Sequence, residues 1–232
     1  MEFRYAFGVG EVPEKTVRLA LERPGDFRIT LNGAAVPAKP DGWFLDKSFE
    51  TVPLSGLVAG RNELVLACAY RNDMEVEDCF LLGDFAVDSQ RAIVREPERL
   101  RFGDWCLQGY PHYCGSMVYG FEFDGPEERA VLRLGEYSAV TVEIRLNGRV
   151  AGQIPWRAAN RVDLGGKIGA GRNFLEIEVV GSPRNLLGPF HLARGKVAFN
   201  EWSAFRTEGR EQVADHVLHP YGLFGQVILS AD

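Results

Sequence analysis

The sequence is poor in the residues that build the commonest reactive centres. It has four cysteines, Cys68, Cys79, Cys106 and Cys114, and no two stand in a CxxC pair, which argues against a structural zinc site. Cys68 lies inside the apolar run LVLACAY and reads as a small buried thiol; Cys106 and Cys114 flank an aromatic segment, where they either bridge a hairpin or remain free. Histidine is equally scarce, with four residues. His216 and His219 form HVLH without the glutamate of a metalloprotease helix, and His112 and His191 have no GxSxG nucleophile elbow beside them. No apolar run reaches the length of a membrane-spanning helix, and MEFRYAFGVG lacks the charged flank and apolar core of a signal peptide. That start reads as a strand, which makes the chain either cytoplasmic or a piece of a longer protein. Basic excess is absent too: 26 basic side chains face 32 acidic ones, for a net charge of -6, which speaks against a nucleic-acid surface.

Long amphipathic helices are also missing. VRLALE, FRITLNG, TVEIRLNG and FLEIEVV instead alternate apolar and polar residues, the period of half-buried strands. Asn-Gly pairs close two of these runs, and both residues of such a pair tolerate the positive φ of a tight hairpin turn. Many short strands with Gly and Pro between them predict an all-β fold of the sandwich or jelly-roll kind. KVAFNEW and GQVIL are further strand candidates near the end.

Several phrases occur twice. Tyr5 in FRYAF matches Tyr119 in MVYGF, Leu31-Asn32-Gly33 matches Leu146-Asn147-Gly148, Gly60-Arg61-Asn62 matches Gly171-Arg172-Asn173, and LLGDFAV from Leu81 matches LLGPFHL from Leu186. A repeat of roughly 110 residues is too long for a solenoid and predicts two tandem β-sandwich domains from an internal duplication, residues 1–97 and 98–232. The first copy has few residues before Tyr5, whereas the second has a longer lead before Tyr119. A missing first strand would leave an edge unpaired, so the first copy is expected either to be cut short or to be completed by something else.

These motifs together, from FRITLNG, GWFLDKSF, LVAGRNELVL and CFLLGDFAV through GDWCLQGYPHYCGSMVYGFEF, IRLNGRVAG, GAGRNFLEIEV and NLLGPFHL to YGLFGQVIL, resemble the galactose-binding-domain-like jelly rolls of large glycoside hydrolases. The nearest resemblance is to accessory regions of family 2 enzymes and family 106 rhamnosidase-like proteins. It covers nearly the whole chain and implies a role around carbohydrate, beside a catalytic domain of a parent chain. It also implies calcium at an edge loop, for which Asn72, Asp73, Glu75, Glu77 and Asp78 would supply oxygens, although they lack EF-hand spacing and read equally as a solvated loop.

A glycosidase needs two carboxylates across one bond. Asp104, Glu136, Asp84, Asp46 and Glu201 are the candidates, and none carries a catalytic signature; turn and surface roles suit each of them. The densest functional feature is the aromatic stretch. Trp105, Gln108, Tyr110, His112 and Tyr113 offer flat rings and polar tips suited to a sugar, with Trp156 in reserve and Trp43 after the matching Asn-Gly turn. The same residues serve equally as core packing. The expected function is a non-catalytic carbohydrate-binding or architectural module. Two rival readings are a purely structural module packed on a missing catalytic domain and an enzyme using Asp104 with Glu136 or Glu201.

Overall fold

The computed structural model describes residues 1–74, 77–125, 130–155, 160–193, 195, 202–205, 208–209 and 211–231, with only the backbone of Trp202, Ser203 and Ala231. The KVAFNEW segment therefore lies almost wholly outside the described residues, as do Trp156, Glu201 and Glu75. The chain divides into two compact units, Met1–Glu98 and Arg99–Asp232. Both are all-β, and no helix among the described residues is long and apolar enough to cross a membrane.

In the first unit the strands are β1 (Glu2–Val9), β2 (Val17–Glu22), β3 (Arg28–Leu31), β4 (Ala34–Val36), β5 (Gly42–Phe44), β6 (Asp46–Leu54), β7 (Gly60–Ala67), β8 (Phe80–Leu82), β9 (Ala86–Val87) and β10 (Ala92–Val94). One sheet runs β4-β3-β7-β1-β10-β9 and the other β5-β6-β2-β8. Val17, Leu19 and Leu21 of β2 face Ile29, Leu31, Leu64 and Leu66 across the core. The alternation of β7, with Asn62, Leu64 and Leu66 buried in turn, places every second residue in that layer.

The second unit contains β11 (Ser116–Gly125), β12 (Ala130–Leu134), β13 (Tyr137–Ser138), β14 (Thr141–Leu146), β15 (Arg149–Ile154), β16 (Arg161–Asp163), β17 (Gly171–Val180), the single-turn α1 (Arg184–Leu187), β18 (Gly222–Leu223) and β19 (Val227–Ala231). Its sheets run β15-β14-β17-β11 and β16-β12-β19, with β13 and β18 paired apart. Leu132, Ile144, Leu164 and Ile177 are fully buried between them.

The Asn-Gly pairs do what their chemistry predicts. Asn32 and Gly33 have φ of 53° and 81°, Asn147 and Gly148 have 51° and 75°, and each pair closes a two-residue hairpin. Each turn asparagine then reaches a second, buried asparagine. Asn32 Nδ2 donates to Asn62 Oδ1 at 2.8 Å, and Asn147 Nδ2 donates to Asn173 Oδ1 at 2.9 Å. Asn62 Nδ2 donates to the carbonyls of Val58 and Gly60, and Asn173 Nδ2 to those of Gly169 and Gly171. The amides of Val58 and Gly169 donate back to the same side chains, and those of Glu63 and Phe174 donate to Asn32 and Asn147. Two buried amide groups, at 0% and 1% exposure, are thus satisfied in one pattern.

This clasp sets a register that differs from the sequence alignment in two places. Phe7 lies opposite Asn62 and Phe123 opposite Asn173, so Tyr5 takes the place of Phe121, and Tyr119 that of Phe3. The tyrosines are offset by one full pleat repeat, which keeps them on the same face and hides the slip in the sequence. The LLG phrases also part company. Leu81 and Leu82 lie in β8, paired with β2, while Leu186 and Leu187 lie in α1 after Pro183. Pairing with β2 holds the first extended; in the second, the helical turn carries Asn185 into the interior at 0% exposure.

β1 is flanked by β7 and by β10, the latter running parallel to it. In the second unit the lead before β11 forms the 3-10 turn Trp105–Gln108 and no named strand, and β11 ends its sheet among the described residues.

Candidate functional site

The aromatic stretch begins at a cap. Asp104 Oδ1 accepts from the amide of Cys106 at 2.9 Å and from that of Tyr221 at 3.2 Å, which starts the 3-10 turn and ties it to the chain before β18. Trp105 is 0% exposed; its ring stacks on Tyr221 at 5.4 Å and meets the edge of Tyr113 at 6.1 Å. A ring so enclosed offers no face to a ligand. Gln108 is equally committed: its Oε1 accepts from the Arg101 amide, and its Nε2 donates to the carbonyls of Arg101 and Asp104. Tyr110 lies 6.0 Å from Tyr113, which is 38% exposed and donates its hydroxyl to the carbonyl of Ser116. His112 is half-buried, with Nδ1 2.7 Å from the carbonyl oxygen of Asn185. The five residues are therefore brought together, with Trp105 buried, Gln108 bound to backbone groups, Tyr110 and His112 half-buried and Tyr113 exposed.

Asn185 organises this region and was not among the sequence candidates. Its Nδ2 donates to the carbonyl of His219 at 2.8 Å and to Cys106 Sγ at 3.3 Å, and its Oδ1 accepts from the His219 amide at 2.7 Å. Around it the rings of His112, Phe190, His191 and His216 form a partly exposed cluster, with Phe190 stacked on His216 at 5.0 Å and His191 at 5.0 Å from the same ring. All four cysteines are free thiols, so Cys106 and Cys114 form no bridge. Burial, reinforced by the nearby Asp104 carboxylate, pushes the Cys106 thiol up to about 12.

The carboxylate candidates occupy separate supporting roles. Asp104 is the cap just described, and Glu136 is exposed. Asp46 accepts from the amide and hydroxyl of Ser48, and these bonds hold its carboxyl below the usual range. Asp84 pairs with Lys15 at 2.6 Å on the surface. In the acidic loop, Asp73 pairs with Arg71 at 3.0 Å, and among the described residues no group of three His, Cys, Asp or Glu is placed to hold a metal ion. Trp43 stands 57% exposed on β5.

A groove of about 430 Å³ opens between β11 and β19. Phe121 and Phe123 of β11, Leu175 of β17, Leu132 of β12, and Val227 and Leu229 of β19 line it, with Phe102 on the rim. Phe102 is 44% exposed and leans on Tyr119 and Phe121, each at 6.1 Å. Glu122 and Gln226 are its polar members, and Glu122 already faces Arg172 at 3.5 Å. In the first unit a pocket of about 20 Å³ lies between Phe3 and Tyr5 of β1 and Cys79 before β8. These groove residues escaped the sequence analysis, although the alternation in GFEFDG is the signal that places Phe121 and Phe123 on one face of a strand.

No protein-family model matches this chain, and no curated protein does. Among solved structures it is similar to a rhamnosidase from Novosphingobium sp. PP1Y, at 23% identity over 88% of this chain and 20% of that one, with a TM-score of 0.40. It is similar to the Streptomyces avermitilis alpha-L-rhamnosidase complexed with L-rhamnose, at 13% identity over 77% of this chain and 21% of that one, with a TM-score of 0.29. A Pleurotus ostreatus lectin in its apo form also matches, at 11% identity over 78% of this chain and 67% of that one, with a TM-score of 0.26. The chain spans about a fifth of the length of the two rhamnosidases.

Proposed function

We propose that the chain is a non-catalytic, architectural module of a larger carbohydrate-active protein, built of two galactose-binding-domain-like jelly rolls that descend from one ancestral unit. The observation that carries this reading is the character of the groove in the second unit. A bound sugar brings several hydroxyls out of water, and each needs a partner. The groove offers Glu122, already opposite Arg172, and Gln226; the rest of its lining is apolar. Such a surface fits a polypeptide better than a glycan. The matched asparagine clasps support common descent, and the capping and surface roles of Asp104, Asp46 and Asp84 support a module without chemistry of its own. The carbohydrate setting rests on the sequence resemblance.

A second reading places sugar contact at Tyr110, His112 and Tyr113. It is favoured by their partial exposure beside the rings of Phe190, His191 and His216. Calorimetric titration with mono- and oligosaccharides, together with aryl-glycoside assays, separates the readings. The architectural reading expects no saturable heat at millimolar glycan and no released phenol. Saturable heat that His112→Ala abolishes would replace it with the second reading; hydrolysis would overturn both.

A further inference from the structure

We propose that the groove between β11 and β19 is the docking site for an extended, aromatic-bearing strand of a partner polypeptide. The inference rests on the architectural reading and names the chemistry of its partner. The first unit shows what such a seam holds. There the chain leaves β8, passes Gly83, and packs Phe85 against a core that includes Leu19 and Leu64, as Phe7 and Leu81 do. Ala86 and Ile93 follow, at 2% and 5% exposure. β10 then runs parallel to β1, with Gly8 opposite Ala92, Val9 opposite Ile93, and the Gly10 amide donating to the Ile93 carbonyl.

Superposing the clasps carries Phe7 onto Phe123 and Leu64 onto Leu175. Leu19 faces Leu81 between β2 and β8, and Leu132 likewise faces Leu229 between β12 and β19. Phe123, Leu175, Leu132 and Leu229 all line the groove. Phenylalanine and leucine side chains of the kind that surround Phe85 in the first unit thus line an open groove in the second. Gly8 and Val9, where β10 pairs, coincide with Asp124 and Gly125, on the sheet edge that β11 leaves open among the described residues. An incoming strand gains main-chain hydrogen bonds along that edge and buries one aromatic side chain beside it, the combination by which strand addition gains affinity and selectivity.

The test uses the whole chain and a fluorescent synthetic peptide of its own residues Gly83–Arg95, read by anisotropy. The wild-type peptide is expected to bind saturably, and Phe85→Asp in the peptide to weaken binding by about tenfold or more. Val227→Arg in the protein should do the same, with near-ultraviolet circular dichroism reporting its fold. Phe102→Ala, at an exposed position, repeats the test if that variant does not fold. His112→Ala should bind like the wild type. Equal binding of both peptides, or none, overturns the proposal. So does a concentration-dependent dimer that Val227→Arg dissociates, because a second copy would then be the occupant. A glycan heat lost in Val227→Arg sinks the architectural reading along with the strand; a groove that takes neither peptide nor glycan sinks the strand alone.

Discussion

Asn62 and Asn173 occupy the same crossing in two separate units, and the hydrogen bonds around them match partner for partner. The spaces between the facing sheets differ: the first unit has a pocket of about 20 Å³ beside Tyr5 and Cys79, the second a groove of about 430 Å³ beside Phe121 and Val227. The contrast has a physical origin. An amide buried at a turn must find all its partners or cost several kcal/mol, so that arrangement tolerates little change. An apolar seam is filled by any chain of suitable shape, whether local or borrowed, so it is where related folds diverge.

The largest expected effect separates interior from surface in the aromatic stretch. Trp105 is fully enclosed, stacked on Tyr221, and close to Gly181, where an added Cβ would come within 3.0 Å of the indole. Trp105→Ala is expected to cost about 3–5 kcal/mol in chemical denaturation, as loss of a core aromatic does. Tyr113→Ala, at a 38% exposed position, should cost clearly less. Equal costs would return Tyr113 to the core and remove it from the candidate sugar contacts.

The clasps come next. Asn173→Ala strands Asn147 Nδ2, the Gly169 amide and the Gly169 and Gly171 carbonyls; Asn62→Ala strands the Val58 amide and the Val58 and Gly60 carbonyls, while Asn32 Nδ2 keeps the Gly56 carbonyl. Each substitution is expected to cost about 3 kcal/mol, given about 1–3 kcal/mol per unsatisfied buried group and partial rescue by water. The two values should agree within about 1 kcal/mol when each is read from the unfolding of its own unit. A large cost at one clasp and a negligible one at the other would break their equivalence.

Much of this comparison was legible in the residues themselves. Alternation in FRITLNG, TVEIRLNG and FLEIEVV located strands, and Asn-Gly located both hairpins, because period and positive φ are local properties. The partnership of Asn32 with Asn62 was not legible, since it depends on two segments meeting after folding. LLG misled because three residues carry too little pattern to tell a strand beside β2 from a turn that buries Asn185. The aromatic stretch was visible as a cluster, yet its composition suits a sugar platform and a core equally. Only the enclosure of Trp105 and the backbone bonds of Gln108 separate those roles. The groove was hardest to foresee, because it is defined by which strands meet after folding and, among the described residues, β11 ends its sheet.

The smallest effect sharpens the comparison through two thiols. Cys79 sits at the closed seam of the first unit, and Cys106 sits beneath Asn185 in the second. Burial raises both above the ordinary thiol value, Cys106 to about 12. Because the fold favours the neutral thiol, the stability linked to this shift is fully present below the unfolded value near 9 and is lost as pH rises toward 12. At pH 9 iodoacetamide should therefore label native Cys106 more than about a hundredfold more slowly than the unfolded chain, because the thiolate is the reacting form. Cys79 should be protected as well, by mass mapping of the same digest. If Cys79 reacts at the unfolded rate while Cys106 stays protected, the seam between β1 and β8 opens in solution. The contrast in cavity volume between the two units would then be one of dynamics as much as of filling.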